Sequence, residues 1–199
     1  MTTAPALPCV HLGGDNGNYA TYCYKGMFQN CTSLKTAPAL PAEDLFSIPE
    51  VYYGMFNSCT SLTTAPALPA LDLTDSMDCY RYMFYSCTSL TTAPELPATT
   101  LADACYQGMF KYCTSLTTAP ALLAKTLVSY CYEHMFTGCS KLNYVEAAFL
   151  TKPGSSYTSN WLLSVKSDGI FVKNIAAIWN VAGYSGVPSG WTIHYNTYD

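Results

Sequence analysis

Five near copies of Met-Phe-x-x-Cys, beginning at Met27, Met55, Met83, Met109 and Met135, constrain this chain more than any other feature; the methionines are 28, 28, 26 and 26 residues apart. A repeat of that length is one supersecondary unit that cannot bury its apolar face alone, so successive copies must stack, each touching its neighbours. Residues 2–8 match residues 91–97 except that Ala6 stands where Glu95 does. The chain therefore opens in mid-repeat and reads as cut from, or appended to, something larger.

Within a copy, Cys79, Tyr80, Met83, Phe84, Cys87 and Leu90 fall at offsets 0, 1, 4, 5, 8 and 11. This apolar stripe predicts a short amphipathic helix of 3.6-residue period. The same stripe runs through Cys23–Tyr24, Val51–Tyr52, Cys105–Tyr106 and Cys131–Tyr132 and the residues that follow each pair. Between stripes lies Leu-x-Thr-Ala-Pro-x-Leu-Pro, too rich in proline for a helix and predicted as a short strand. Pro38, Pro66, Pro94 and Pro120 remove the same ladder donor from each coil, which should keep the sheet a few residues wide. Strand alternation points Leu40, Leu68, Leu96 and Leu122 inward and splits each threonine pair between the two faces. A second inward leucine recurs at Leu45, Leu73, Leu101 and Leu127. The expected fold is thus an α/β repeat of about five coils, a short strand plus a short helix in each.

Residues 13–17 form a glycine-rich insertion that reads as a loop. The repeat fails after Leu142, where Tyr144-Val145-Glu146 replaces Thr-Ala-Pro. We divide the chain into a repeat region, 1–146, and a β-rich C-terminal capping segment, 147–199. In the cap, residues 161–165 and 170–173 flank Ser167-Asp168-Gly169 as an expected hairpin.

Charged residues make up 11 % of the chain against roughly 25 % in an average soluble protein. Nine Lys and Arg, thinly spread in a chain of net charge -4, form no basic stripe for phosphates, which argues against nucleic acid as a partner. No apolar run approaches the roughly 20 residues that span a bilayer, so membrane insertion is not expected. The first residues show neither the basic start nor the apolar core of a signal peptide.

Ten cysteines raise the question of disulfides or metal. On a helix, Cys79 and Cys87 would be separated by about 12 Å of rise, beyond the span of a disulfide. Equivalent cysteines of adjacent coils could approach, but small buried side chains filling a seam is the reading taken here. There is no Cys-x-x-Cys and no clustered Cys/His set for zinc. His11, His134 and His194 lie in three different contexts, with no His-Glu-x-x-His and no Gly-x-Ser-x-Gly, so no catalytic residue, metal ligand or cofactor is nominated. Asp72, Asp75 and Asp78 in one return loop, or Asp15 in the insertion, could form a loose calcium site but lack the spacing of a calcium loop and read as solvated.

Tyrosine is more informative, with 17 in the chain. The column Tyr24, Tyr52, Tyr80, Tyr106 and Tyr132 belongs to the core. Tyr53, Tyr82, Tyr85 and Tyr112 instead occupy positions that vary from copy to copy and should project outward. Specific recognition needs side chains that differ between coils, whereas Cys-Thr-Ser-Leu-Thr-Thr-Ala-Pro is copied unchanged from Cys59, Cys87 and Cys113. The candidate binding residues are therefore Arg81, Tyr82, Tyr85, Lys111 and Tyr112, or else the aromatic cap, with the threonine face idle or fitted to a repetitive polymer.

The signature Met-Phe-x-x-Cys-x-Ser-Leu, as in residues 83–90 and 109–116, resembles the BspA-like leucine-rich repeats of bacterial surface proteins, including their 26-residue repeat variant. The resemblance covers residue 2 to about residue 146, and the tail through Trp191-Thr192 is similar to C-terminal segments of such proteins from gut bacteria. It implies a right-handed leucine-rich-repeat solenoid, displayed on a cell surface or extracellular, with no shared catalytic residues. It also implies a non-catalytic binding or adhesion module for a glycan or matrix protein. A structural spacer that presents another domain and has no ligand of its own is the alternative.

Overall fold

The computed structural model describes residues 2–7, 22–42 and 45–198. The glycine-rich insertion with His11 and Asp15 lies outside the described residues. Successive copies stack in parallel register: Thr3 bridges Thr36, Thr36 bridges Thr64, and Thr64 bridges Thr92. Toward the C-terminus Thr118 bridges Tyr144, where the ladder widens into one parallel sheet of three strands, β1 (Tyr144–Ala147), β2 (Gly169–Asn174) and β3 (Trp191–Asn196), in that order.

The expected helix in each coil is absent. Among the described residues there is no helix, and β1–β3 are the only strands, which overturns the α/β leucine-rich-repeat solenoid of strand plus helix per coil. The hydrogen bonds show what replaces it. Along residues 50–59 the odd-numbered amides of Tyr53, Met55, Asn57 and Cys59 donate three residues back, to Glu50, Tyr52, Gly54 and Phe56. The even-numbered amides of Tyr52, Gly54, Phe56 and Ser58 donate to Cys79, Arg81, Met83 and Tyr85 of the next coil. Such a segment is a row of tight turns, half its amides closing the turns and half tying one coil to the next, whereas an α-helix sends every amide four residues back.

The geometry repeats every fourth residue. Glu50, Gly54 and Ser58 have φ of 56°, 58° and 62°, and Asp78, Tyr82 and Ser86 have 58°, 54° and 57°. After each left-handed residue, two side chains point inward and the next points out: Val51 and Tyr52, then Met55 and Phe56, are buried, while Tyr53 and Asn57 are half-buried at the surface. The inward pairs stack coil upon coil. Phe28, Phe56, Phe84, Phe110 and Phe136 form a column with centroids 5.6 to 5.7 Å apart and nearly parallel planes. Tyr24, Tyr52, Tyr80, Tyr106 and Tyr132 form a second column beside it. Centroid separations of this size are favourable for offset aromatic pairs, and they hold the coils in one register.

The cysteines have a defined task in this stack. The thiols of Cys59, Cys87, Cys113 and Cys139 donate to the carbonyls of Phe28, Phe56, Phe84 and Phe110 in the preceding coil, at 3.0 to 3.1 Å. Cys31, Cys59, Cys79, Cys87, Cys105, Cys113, Cys131 and Cys139 are free thiols. Burial pushes the thiols of Cys131 and Cys139 up to about 12, so they remain protonated donors.

The connecting leucines Leu40, Leu68, Leu96 and Leu122 are buried, as are Leu45, Leu73, Leu101 and Leu127. The threonines depart from the expected alternation: Thr63 and Thr64, Thr91 and Thr92, and Thr117 and Thr118 are all exposed. The prolines reduce the ladder there to single bridges, so no pleat forces neighbouring side chains to opposite faces.

The expected hairpin also fails. Residues 157–164 are turns whose carbonyls at Tyr157, Ser159, Trp161 and Leu163 accept the amides of Tyr132, His134, Phe136 and Gly138. Meanwhile β2 pairs in parallel with both β1 and β3. The stacking thus continues past residue 146, with Trp161 in the place that Met83, Met109 and Met135 hold in the coils before it. Trp161, Phe171, Phe149 and Trp179 then turn the aromatic columns through tilted and edge-on contacts that close this end of the core. Each indole N–H is satisfied, Trp161 by Gly186, Trp179 by Phe149 and Trp191 by Lys166.

Candidate functional site

The outward positions of the turns carry the variation between copies. Because each coil sits directly on the next, residues about one repeat apart become neighbours, and the five residues nominated from sequence come together in one surface cluster. Tyr82 and Tyr85 meet edge to face at 5.8 Å, and Tyr85 meets Tyr112 at 5.5 Å. The Arg81 guanidinium lies 5.0 Å from the Tyr82 centroid, and the Lys111 ammonium 5.4 Å from that of Tyr112. Cations at these distances are attracted to the ring faces.

The cluster is longer than the nominated set. Tyr53 packs against Tyr82 at 5.9 Å, and the Lys25 ammonium sits 4.5 Å from the Tyr53 centroid and 4.9 Å from that of Tyr22. Lys25 also pairs with Glu50, and that hydrogen bond raises its pKa. The row therefore runs from Tyr22 and Lys25 in the first turn segment through Tyr53, Arg81, Tyr82 and Tyr85 to Lys111 and Tyr112. Tyr53 carried a signal in its outward position; the Lys25 contact needed the stacking register to be seen.

Tyr22 at the end of the row has left-handed backbone, at φ 65°, and so do two tyrosines further along it, Tyr82 at φ 54° and Tyr112 at φ 65°. Such a conformation costs a bulky residue roughly 1–2 kcal/mol. Glycine fills the next place in the columns of Tyr82 and Tyr112, and it must: a Cβ on Gly108 would overlap Cδ1 and Cε1 of Tyr82, and one on Gly138 the same carbons of Tyr112. The fold thus accepts strain at the tyrosine and gives up a side chain at its neighbour to seat each ring. The left-handed place is general to the fold, since Glu50, Ser58, Asp78 and Ser86 occupy it in their own coils; what is particular here is that a bulky ring stands in it.

Beside the row, and sharing Arg81 with it, is a groove of about 460 Å³ lined by Met77, Asp78, Asp103, Gln107, Tyr130 and Glu133. Asp78 accepts from Arg81 at 3.1 Å, yet burial still raises its pKa. Gln107 is 8 % exposed; its amide nitrogen donates to Glu133, and its Oε1 has no donor among the described residues. Sequence reasoning missed this groove, because its acids are far apart in the chain and meet only across coils.

His134 lies close to this surface, its pKa lowered by burial and by Lys111, with Thr137 at 3.2 Å from Nδ1. Asp72 caps its own loop by accepting from the amide and hydroxyl of Thr74 at 2.8 and 2.6 Å. Among the described residues, no three His, Cys, Asp or Glu side chains converge to hold a metal ion, and no helix is long and apolar enough to cross a membrane.

No family model matches the chain, and no curated protein or solved structure does so. The motif's resemblance to BspA-like repeats therefore stands on its residues alone, and the adhesion role and surface location it implies find no support in those comparisons.

Proposed function

We propose that this chain is a non-catalytic binding module for a polysaccharide, which it contacts through the row from Lys25 and Tyr53 to Lys111 and Tyr112. The observation that carries this reading is the continuity of the row: aromatic rings and cations from adjacent coils make one outward strip, held in part by strained backbone at Tyr82 and Tyr112. Ring faces accept the C–H faces of pyranoses, while tyrosine hydroxyls and the flanking cations offer hydrogen bonds to sugar hydroxyls. Coils tied by backbone hydrogen bonds lie about 4.8 Å apart, comparable to the advance of one hexopyranose in an extended polymer. A linear glycan could thus present one unit to each coil.

The test is binding of soluble linear oligosaccharides by calorimetry to the full chain and to two double variants, Tyr85→Ala/Tyr112→Ala and Thr91→Ala/Thr117→Ala. The reading expects binding to fall at least about tenfold with the tyrosines, a loss of about 1.4 kcal/mol, and to persist without the threonines. Binding that survives loss of the tyrosines and vanishes with the threonines assigns recognition to the opposite, copied face. A chain that binds no glycan is better described as a spacer.

A further inference from the structure

The parallel ladder ends in an open edge. β3 pairs with β2 alone, and in a parallel pair alternate residues turn both their amide and their carbonyl toward the same neighbour. The Asn196 carbonyl accepts the Ile175 amide, so Asn196, His194 and Thr192 face β2. Ile193 and Tyr195 therefore turn their backbone groups away from the sheet, and no donor or acceptor among the described residues meets them. Such unpaired groups are a template for another strand, and proteins blunt them with proline, lysine, a bulge or a covering loop. The rung at the other end of the ladder, residues 2–7, carries Pro5. β3 reads Trp-Thr-Ile-His-Tyr-Asn, with no proline, no lysine and no acid.

The side chains beside these groups are apolar and only partly covered. Ile193 and Tyr195 continue the face on which β2 places Phe171 and Lys173. Phe171 is fully buried, Ile193 packs at the margin of the core, and Tyr195 is 59 % exposed. The Lys173 ammonium lies 5.4 Å from the Tyr195 centroid and donates to the Trp179 carbonyl, and Ile178 beside that residue is 100 % exposed. Apolar surface thus runs from the core out to a strand whose backbone is also unpaired.

The strand is its own complement. Set antiparallel on a second copy with Ile193 opposite Ile193, it brings Tyr195 opposite Trp191, whose amide already donates to Pro188. With Tyr195 opposite Tyr195 it brings Ile193 opposite Thr197, whose amide already donates to Asn196 Oδ1. The register centred on His194 sets Ile193 opposite Tyr195 on both sides of the centre, and there the amides and carbonyls of Ile193 and Tyr195 are all satisfied. It also pairs a β-branched side chain with an aromatic one, a favourable cross-strand combination.

We infer that β3 is a dimerisation edge, on which two copies of this chain pair antiparallel about a two-fold axis at His194 and join their three-stranded sheets into one. This goes beyond the polysaccharide reading and does not depend on it. An interface of one strand from each copy is small, so association is weak. The two His194 side chains meet at a closely spaced, non-hydrogen-bonded pair, where like charges repel.

The experiment is sedimentation velocity on the full chain from about 1 µM to about 1 mM, over which the average mass should rise from one chain toward two. His194 is exposed on the face away from the core. His194→Asp and His194→Lys should each self-associate about fivefold more weakly than the parent, and an equal mixture of the two should associate at least as well as the parent. Tyr195→Pro removes an outward amide and no bond to β2, and should remain a single chain. Thermal melts check that the variants are folded; if Tyr195→Pro is not, the charged pair decides. A parent that stays a single chain at about 1 mM overturns the inference. So does a folded Tyr195→Pro that still dimerises, or a mixture that associates no better than its components, since either moves the contact off this edge or out of this register. A single-chain parent that instead takes up a synthetic extended peptide along β3 makes the edge a docking strand for a different protein, and overturns the dimer as well.

Discussion

The two sides of one turn segment share a backbone and obey different rules. Facing in, residues 79–80, 83–84 and 87 repeat as Cys-Tyr, Met-Phe and Cys with almost no change from coil to coil, because each side chain must lie on its own equivalent above and below. Facing out, position 81 and its equivalents read Lys25, Tyr53, Arg81, Gln107 and Glu133, and position 82 alternates between tyrosine, histidine and glycine. The lesson is that stacking demands sameness only where side chains touch their own copies in the core, and a turn repeating every fourth residue separates that demand cleanly from the outward positions. Stability should reside on one side and recognition on the other.

The largest effect should come from titrating the inward side. Burial raises the Cys131 and Cys139 thiols from 9.0 to about 12, and Cys87, Cys105 and Cys113 are raised as well. A native state that keeps thiols protonated while the unfolded chain ionises holds more protons, so stability is full below about pH 9 and falls as pH climbs toward 12. Each such thiol contributes a loss of roughly 1.4 kcal/mol per pH unit within that window. Urea midpoints measured from pH 7 to 11 should drop steeply above pH 9. Midpoints that stay level would mean the thiols are not buried as described.

Next comes the core itself. Phe84→Ala removes a ring stacked on both sides, and should cost about 3–5 kcal/mol through lost contact and the cavity left behind. Denaturant melts of this variant and of Tyr85→Ala, expected to cost about 1 kcal/mol or less, compare the two sides directly. Similar losses would erase the distinction.

A smaller effect probes the boundary between them. Gly54 and Gly108 both have left-handed backbone, at φ 58° and 60°, so alanine should cost about 1–2 kcal/mol at either. They differ in surroundings: a Cβ on Gly54 would meet only Asn57 Cβ at 3.9 Å, whereas one on Gly108 runs into the Tyr82 ring. Gly108→Ala should therefore displace Tyr82 and weaken oligosaccharide binding, and Gly54→Ala should not. Equal binding by the two variants would show that the seat under Tyr82 is unimportant.

The burial of this protein was legible in its sequence and the backbone was not. Every stripe residue from Val51 through Leu142 assigned to the core is buried, as are both sets of connecting leucines, whereas in the first coil Cys23 and Met27 of the same stripe are exposed. The error was one of period. Offsets 0, 1, 4, 5 and 8 fit a repeat of four as well as one of 3.6, because over nine residues the two drift apart by less than one side chain. The discriminating signal was Gly26, Gly54 and Gly108 at one place in three of the five copies, with Asn30 and Gly138 four residues beyond that place in the first and fifth. Such residues are poor in a helix interior and suited to left-handed turns. Tyr82 and Tyr112 hid that signal by standing where those glycines stand. The five nominated site residues could be chosen from variation alone, since variation marks what the core does not need. Their assembly into a row with Lys25 and Tyr53, and the groove between Asp78, Asp103 and Glu133, depends on inter-coil register, which no local pattern encodes.

The smallest change in stability should accompany one of the largest in binding. Tyr82→Gly restores the residue that Gly54 and Gly108 place in the adjoining coils, and so relieves a left-handed tyrosine worth roughly 1–2 kcal/mol of strain. Against this stand the lost edge contacts with Tyr53 and Tyr85, about 0.5–1.5 kcal/mol each, and the added flexibility of glycine in the unfolded chain, about 0.5–1 kcal/mol. Together the costs, about 1.5–4 kcal/mol, outweigh the roughly 1–2 kcal/mol of relieved strain, so the variant should be less stable by only about 1 kcal/mol. Binding should not be so forgiving, because Tyr82 joins Tyr53 to Tyr85 and its removal cuts the row in two. Calorimetry with a linear oligosaccharide should show at least about a tenfold loss for a variant only slightly less stable than the parent. A variant that keeps both its stability and its affinity would mean that the strained tyrosine serves neither side, and the division of labour proposed for this backbone would fail at the residue that most tempts one to propose it.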